Sequence, residues 1–128
     1  MKYPAKRGAV LKLWHPAASV RESEKAFGRV ASISHQVGER RKQGDKRPYR
    51  DSYCYFEFLP SARLDSVGLI TKTVAILKRK KTSVSKLLAT GGVAVLAIKV
   101  ADRDFVQLYV QRDQLAALAA LGVSLVIE

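Results

Sequence analysis

The sequence predicts an α+β fold, a two-layer sandwich in which helices cover one mixed or antiparallel sheet of about six strands. A long helical pattern occupies the middle of the chain, residues 61–92. Strand-like alternation of apolar and polar residues lies on both sides of it. Residues 9–34 and 105–127 also share one order of strand, polar cap, short helix, glycine and strand. These three observations predict two βαβ-like halves joined by a central helix.

The central segment is predicted to be helical because its apolar residues recur at steps of three and four. Pro60 is expected to end the preceding strand and Ser61 to cap the helix. Four successive cations at 78–81 predict a break followed by a second short helix that ends at Gly91, and one kinked helix is the alternative. The apolar stripe consists of Leu64, Val67, Ile70, Val74 and Leu77.

The N-terminal half predicts three strands and one short helix. Residues 9–14 form the first strand, and Ser19 with Glu22 has the spacing of a capping box, which places a helix over residues 20–27. The second strand is expected over residues 29–35. The third, over residues 53–59, is the clearest, because it carries Cys54, Phe56 and Phe58 on one face and Tyr53, Tyr55 and Glu57 on the other.

The C-terminal half predicts strands over residues 93–100, 105–110 and 123–127. The first of these is apolar except for Lys99, which predicts a central strand covered on both faces, and the second is expected to pair with it as a hairpin. Asp113 is expected to cap a helix whose inward-facing residues are Leu115, Leu118 and Leu121.

The central stripe is expected to pack on the sheet, with both shorter helices on the same face. Each predicted strand offers one apolar face, and only the central helix has a stripe long enough to cover several strands. The strand residues expected beneath it are Phe56, Leu96, Ile98, Leu108 and Leu125.

Composition predicts a single domain over residues 1–128 in the cytoplasm. The chain is 48% hydrophobic and 27% charged, values typical of compact proteins. No apolar run is long enough for a membrane span or a signal peptide. Cys54 is the only cysteine, which excludes an internal disulfide and fits a reducing compartment.

A formal net charge of +12, from 23 Lys and Arg against 11 Asp and Glu, predicts attraction to a polyanion. Residues 36–51 form a long basic loop that is expected to be mobile or ordered by a ligand. The predicted polyanion surface has three parts. They are the cations of this loop, three tyrosines on which bases can stack, and the cations of the helix break at 78–81. Its members are Arg40, Arg41, Lys42, Lys46, Arg47, Arg50, Tyr49, Tyr53, Tyr55, Lys78, Arg79, Lys80 and Lys81.

No catalytic or metal-binding constellation follows from the sequence. His15 and His35 lie at strand ends and can offer two metal ligands, but no third ligand has suitable spacing, so hydrogen-bonded structural histidines are the alternative. Cys54 near Arg50 can be a nucleophile with a lowered pKa or a small core residue. We therefore predict no metal, no cofactor and no enzymatic activity.

Several stretches resemble the bacterial domain of unknown function numbered 4279. They are the strand ending at His15 and Pro16, the helix ending in Gly28, the loop over 38–50 leading to residues 53–56, and the ending over 115–127. Similar sequences tend to carry Trp where this chain has Cys54. The resemblance spans nearly the whole chain and implies the same fold. It brings no catalytic residue, because that family has no established activity.

Two functions are predicted from these features. The first is a binding module without catalysis whose ligand is a polyanion, such as nucleic acid. The second is a protein-interaction module, for example an immunity or adaptor protein, that binds an acidic protein through the same basic surface. No membrane partner is expected.

Overall fold

A computed structural model describes residues 7–41, 44, 47–62, 66–100 and 110–128; at residues 7, 59–62, 66 and 100 only the backbone is described. Over these ranges the chain forms four helices and five strands. In chain order they are β1 (Arg7–His15), α1 (Val20–Phe27), β2 (Ile33–His35), β3 (Ser52–Ala62), α2 (Ser66–Arg79), α3 (Lys81–Ala89), β4 (Val93–Val100), α4 (Arg112–Leu121) and β5 (Val123–Ile127).

The five strands form one mixed sheet in the order β2-β3-β1-β4-β5. β1 is its middle strand and is antiparallel to both β3 and β4. β2 is antiparallel to β3, so β2 runs parallel to β1 with β3 inserted between them. β5 is parallel to β4 and adjacent to it. The predicted α+β class is confirmed. β3 separates the parallel strands β1 and β2, whereas the parallel strands β4 and β5 are adjacent. The predicted second half, residues 105–127, begins outside the described residues.

All four described helices pack on one face of the sheet, as predicted. The buried cluster joins Phe27 of α1, Leu69 and Ile70 of α2, Val84 of α3 and Leu118 of α4 to one set of strand residues. That set alternates along each strand, as a pleated backbone requires, and comprises Ala9, Leu11, Leu13, Cys54, Phe56, Phe58, Ala94, Leu96 and Ile98. Among the predicted stripe residues, Ile70, Val74 and Leu77 are buried there and Val67 is half-buried.

Two strand boundaries differ from the prediction. β2 begins only at Ile33, because the backbone before it is hydrogen-bonded to Glu24 of α1. The Glu24 carboxylate accepts from the Ala31 N–H at 2.8 Å, and the Glu24 carbonyl accepts from the Arg29 N–H. β3 continues through Pro60 to Ala62, where Pro60 was expected to end it. The pairing of β2 with β3 stops at Tyr55. Beyond that point no described strand pairs with this edge of β3, and a strand edge without ladder hydrogen bonds tolerates proline.

The helix boundaries also correct the sequence predictions. α2 begins at Ser66, and Ser61 belongs to β3, so Ser61 is not a helix cap. The break at the basic run is confirmed, because α2 ends at Arg79 and α3 begins at Lys81. α4 is capped by Gln111, whose backbone N–H donates to Gln114 Oε1 at 3.1 Å, and not by Asp113.

Two further corrections concern burial. Leu115 was expected to face inward but is 49% exposed, while its neighbour Gln114 is buried. The Gln114 amide donates to the Val67 carbonyl at 2.7 Å and lies 2.9 Å from the Thr71 hydroxyl, so α4 turns a polar side chain towards α2. The predicted strand over residues 105–110, with Leu108, lies outside the described residues, and so does Leu64.

Candidate functional site

The helices leave the other face of the sheet uncovered by any described helix. This open face carries the side chains that alternate with the core residues: His35, Tyr53, Tyr55, Glu57, Trp14, Lys12, Val95 and Lys99 among them. β4 was predicted to be covered on both faces. That prediction holds only in part: Ala97 and its β1 partner Val10 are buried on this face, whereas Val93 is 55% exposed and Lys99 is exposed.

Four aromatic rings form a row across the open face. Register places Trp14 of β1 opposite Tyr53 of β3, and Tyr53 opposite His35 of β2. The ring centroids of Trp14 and Tyr53 are 5.2 Å apart, and those of Tyr53 and His35 are 5.5 Å apart. His35 then stacks on Tyr49 of the basic loop at 3.6 Å with nearly parallel planes. The row therefore links three strands to the loop.

Tyr55 lies one alternation further along β3 and is paired with two lysines of the open face. Lys12 is directly opposite it on β1, and the Lys99 Nζ lies 5.1 Å from the centre of the Tyr55 ring. A hydrogen bond with Tyr55 raises the pKa of Lys99 above its usual 10.5, so this ammonium stays charged. Lys12 forms an ion pair with Glu128. Glu57 is also exposed on this face, so this end of the face is mixed in charge.

The described ends of the basic loop are held together by backbone hydrogen bonds. The Gly38 N–H donates to the Tyr49 carbonyl at 2.9 Å, the Tyr49 N–H donates to the Glu39 carbonyl at 3.0 Å, and Arg40 forms a bridge with Pro48. The Arg41 guanidinium lies 5.0 Å from the centre of the Tyr49 ring. This pairing sets Tyr49 and Arg41 at the end of the aromatic row.

Positive charge is concentrated at the loop end of the row. The described cations there are Arg40, Arg41, Arg47 and Arg50, against the acidic Glu39 and Asp51. Burial lowers the pKa of His35 below its usual 6.5, and the charge of Arg41 acts in the same direction while Glu39 and Asp51 oppose it. His35 is therefore neutral at pH 7. Lys42 and Lys46 of the predicted polyanion surface lie outside the described residues.

The cations at 78–81 lie in the helical layer and not beside the tyrosines. They join α2 to α3, and the Lys80 side chain lies against Gly28 at the end of α1. All four side chains are exposed. The structure therefore divides the predicted polyanion surface: Tyr49, Tyr53, Tyr55 and the described loop arginines lie together, whereas Lys78, Arg79, Lys80 and Lys81 lie on the opposite side of the sheet.

His15 is a buried structural residue. Its Nδ1 accepts from the backbone N–H groups of Ala17 and Ala18 at 3.0 and 2.8 Å. Its Nε2 therefore carries the proton and lies 2.9 Å from the Thr90 hydroxyl and 3.2 Å from the Leu87 carbonyl. A groove of about 550 Å³ between α1 and α3 is lined by His15, but both ring nitrogens are engaged by the protein. His15 and His35 lie on opposite faces of the sheet and cannot share a metal ion.

Cys54 has the environment of a core residue. It is 1% exposed, and burial raises the pKa of its thiol to about 11, with the nearby charge of Glu24 acting in the same direction. A thiol with that pKa is a poor nucleophile at neutral pH. Within the described residues no group of three or more His, Cys, Asp or Glu side chains is placed to hold a metal ion.

Three residues of the open face were missed as site candidates from the sequence, Lys12, Trp14 and Lys99, and His35 was considered only as a metal ligand or a structural histidine. The alternation of β1 already separated Lys12 and Trp14 from its apolar residues, and Lys99 was the one polar interruption of β4. Their convergence depends on strand order, which places β1 between β3 and β4. Strand order was not predictable from the sequence pattern.

No family model, curated protein or solved structure matches this chain. In the described part of the chain, no helix combines the length and the apolarity needed to cross a bilayer.

Proposed function

We propose that the protein is a non-enzymatic module that binds a polyanion, with nucleic acid as the ligand, through the open face and the basic loop. The observation that carries this proposal is the aromatic row ending in a group of arginines. Aromatic rings offer stacking surfaces for bases, and arginines offer paired donors for phosphates. The net charge of +12 adds long-range attraction for a polyanion.

The arrangement on the open face supports binding better than catalysis. The candidate nucleophile, Cys54, is buried on the opposite face, and the His15 imidazole is fully engaged in hydrogen bonds. Membership of the domain family of unknown function 4279 and a cytoplasmic location remain predictions, and neither is needed for this proposal.

Salt-dependent titration tests the proposed function. Labelled single-stranded and double-stranded oligonucleotides should bind at low salt, and affinity should fall steeply as salt rises, because bound phosphates release counterions. Replacing Arg40 and Arg50 by Gln should reduce the slope of log affinity against log salt by about one for each of the two arginines that binds a phosphate.

The matched control replaces Lys78 and Lys81 by Gln, which removes the same charge from the helical layer. This variant should keep the wild-type slope. Absence of binding at low salt would refute the proposed function, and a reduced slope in the control alone would move the site to the helical layer.

A protein-interaction module is the second candidate, and one observation favours it. Three exposed apolar residues, Ile33, Val93 and Val126, lie on the open face together with Trp14 and two tyrosines. Aromatic side chains and arginine are enriched at protein interfaces. Under this alternative the basic loop would select an acidic partner.

Affinity capture from the host separates the two candidates. One acidic protein should be retained, and charge reversal at Arg40, Arg41 and Lys42 should release it, if the protein is an interaction module. Partners that disappear after nuclease treatment would support nucleic-acid binding instead.

A further inference from the structure

We infer that the open face takes an unpaired nucleic-acid strand, with its bases stacked on Trp14, Tyr53 and Tyr55 and its phosphates entering at the arginine end of the row. This inference rests on the proposed function and specifies the form of the ligand. It also assigns separate roles to the tyrosines of the predicted polyanion surface.

Tyr49 is a support for the row and not a stacking surface for a base. His35 already covers one face of its ring at 3.6 Å, and Arg41 lies 5.0 Å from its centre. His35 in turn lies between Tyr49 and Tyr53. These contacts fix the loop to the edge of the sheet. The ligand is therefore assigned to the three rings on β1 and β3, where Lys99 Nζ lies 5.1 Å from the centre of the Tyr55 ring and covers at most one face of it.

The three remaining rings are each half-buried, so part of each is accessible. The contact between Trp14 and Tyr53 is tilted by 42°, which is not the geometry of a closed parallel stack. Tyr53 and Tyr55 point to the same face two residues apart on β3, a separation of about 7 Å. That separation is roughly twice the 3.4 Å rise per base of a duplex strand, so bases on both tyrosines must be unstacked from each other.

The charge distribution indicates which end of the open face binds the phosphates. Arg41 lies beside Tyr49, in the loop that also carries Arg40, Arg47 and Arg50, whereas Lys12 and Lys99 are accompanied by Glu57 and Glu128. Phosphates are therefore best neutralised at the loop end. At the other end, around Tyr55, the positive and negative side chains nearly cancel. A duplex cannot use this arrangement, because its base faces are already stacked.

A comparison of two oligonucleotides with equal charge tests the inference. One is a single-stranded 12-nucleotide DNA, and the other has the same phosphates and sugars but no bases. Trp14 is the only tryptophan, so its fluorescence reports directly on the open face. The natural strand should bind about tenfold more tightly than the abasic strand and should quench Trp14, because each stacked base adds favourable free energy.

Tyr55→Leu should remove much of this difference in affinity. The variant should bind the natural strand more weakly and the abasic strand with unchanged affinity. Leucine retains an apolar side chain at a half-buried position, and circular dichroism checks that the variant is folded. The Lys78→Gln, Lys81→Gln double variant is the control and should retain the preference for bases.

The possible results separate this inference from the proposed function. Equal, salt-dependent binding of both strands would overturn base stacking and leave polyanion binding intact. Failure of both strands to bind at low salt would overturn both. A base preference that persists unchanged in folded Tyr55→Leu, without quenching of Trp14, would overturn the assignment to the open face.

Discussion

The two faces of the sheet are built from the same strands but differ in chemistry. On β3, Phe56 is fully buried among the helices, while its neighbour Tyr55 is half-buried on the open face beside Lys99. On β1, Leu13 is likewise buried among the helices, while its neighbour Trp14 is half-buried on the open face. Because alternate residues of a strand point to opposite faces, stability and ligand binding can be altered separately by changing adjacent positions.

The largest expected effect comes from placing a charge beneath α2. Val74 is 7% exposed within the core, so Val74→Asp buries an unpaired carboxylate at a cost of several kcal/mol, against a total stability of about 5 to 15 kcal/mol. The variant should be largely unfolded or insoluble. Lys80→Asp is the control, because Lys80 is exposed at the start of α3, where Asp is a favourable cap. Equal melting temperatures for the two variants would show that the covered face is wrongly assigned.

A smaller contrast is expected between neighbours on β3. Phe56→Ala leaves a cavity in the core and should lower the free energy of unfolding by about 3 to 5 kcal/mol. Tyr55→Ala should lower it much less, since the ring is only half-buried, but should weaken oligonucleotide binding. Urea unfolding and binding titrations of both variants measure the contrast. Similar losses of stability would mean that the Tyr55 ring contributes as much to the packing as the Phe56 ring.

The smallest expected effect is a dependence of stability on the charge of His35. Burial lowers the pKa of His35 in the folded protein, so the unfolded chain binds this proton first as pH falls below 6.5. Stability is therefore complete above pH 6.5 and decreases as pH falls through the lower folded pKa. His35→Phe retains a ring against Tyr49 and should abolish this component. The melting temperature should therefore fall more between pH 7.5 and pH 5.5 in the wild type than in His35→Phe. An equal fall in the two proteins would contradict this prediction.

Local patterns predicted much of the covered face. The alternation in β3 identified Cys54, Phe56 and Phe58 as one face, and the cap at Ser19 with the glycine at Gly28 located α1. These features depend on neighbours close in sequence. For the same reason the break between α2 and α3 was visible as a run of like charges.

Long-range contacts explain what the patterns could not predict. Gln114 is buried because α2 supplies the Val67 carbonyl, a partner 47 residues away, so helical periodicity favoured Leu115 instead. β4 is apolar on both faces, and its sequence does not show which face the helices cover. The division of the predicted polyanion surface into two sides also follows from the packing of α2 and α3, which charge alone does not indicate.

The position of β1 in the sheet has a consequence for folding during synthesis. β1 is the first described strand, yet it needs β3 on one side and β4, residues 93–100, on the other. Contacts between segments this far apart carry a high entropic cost of loop closure and slow the search for the native pairing. While a ribosome is still making β4, one edge of β1 has no partner, and exposed strand edges invite pairing with other chains. Among the described strands, β1 therefore has the longest interval between its own synthesis and the synthesis of its second partner, β4.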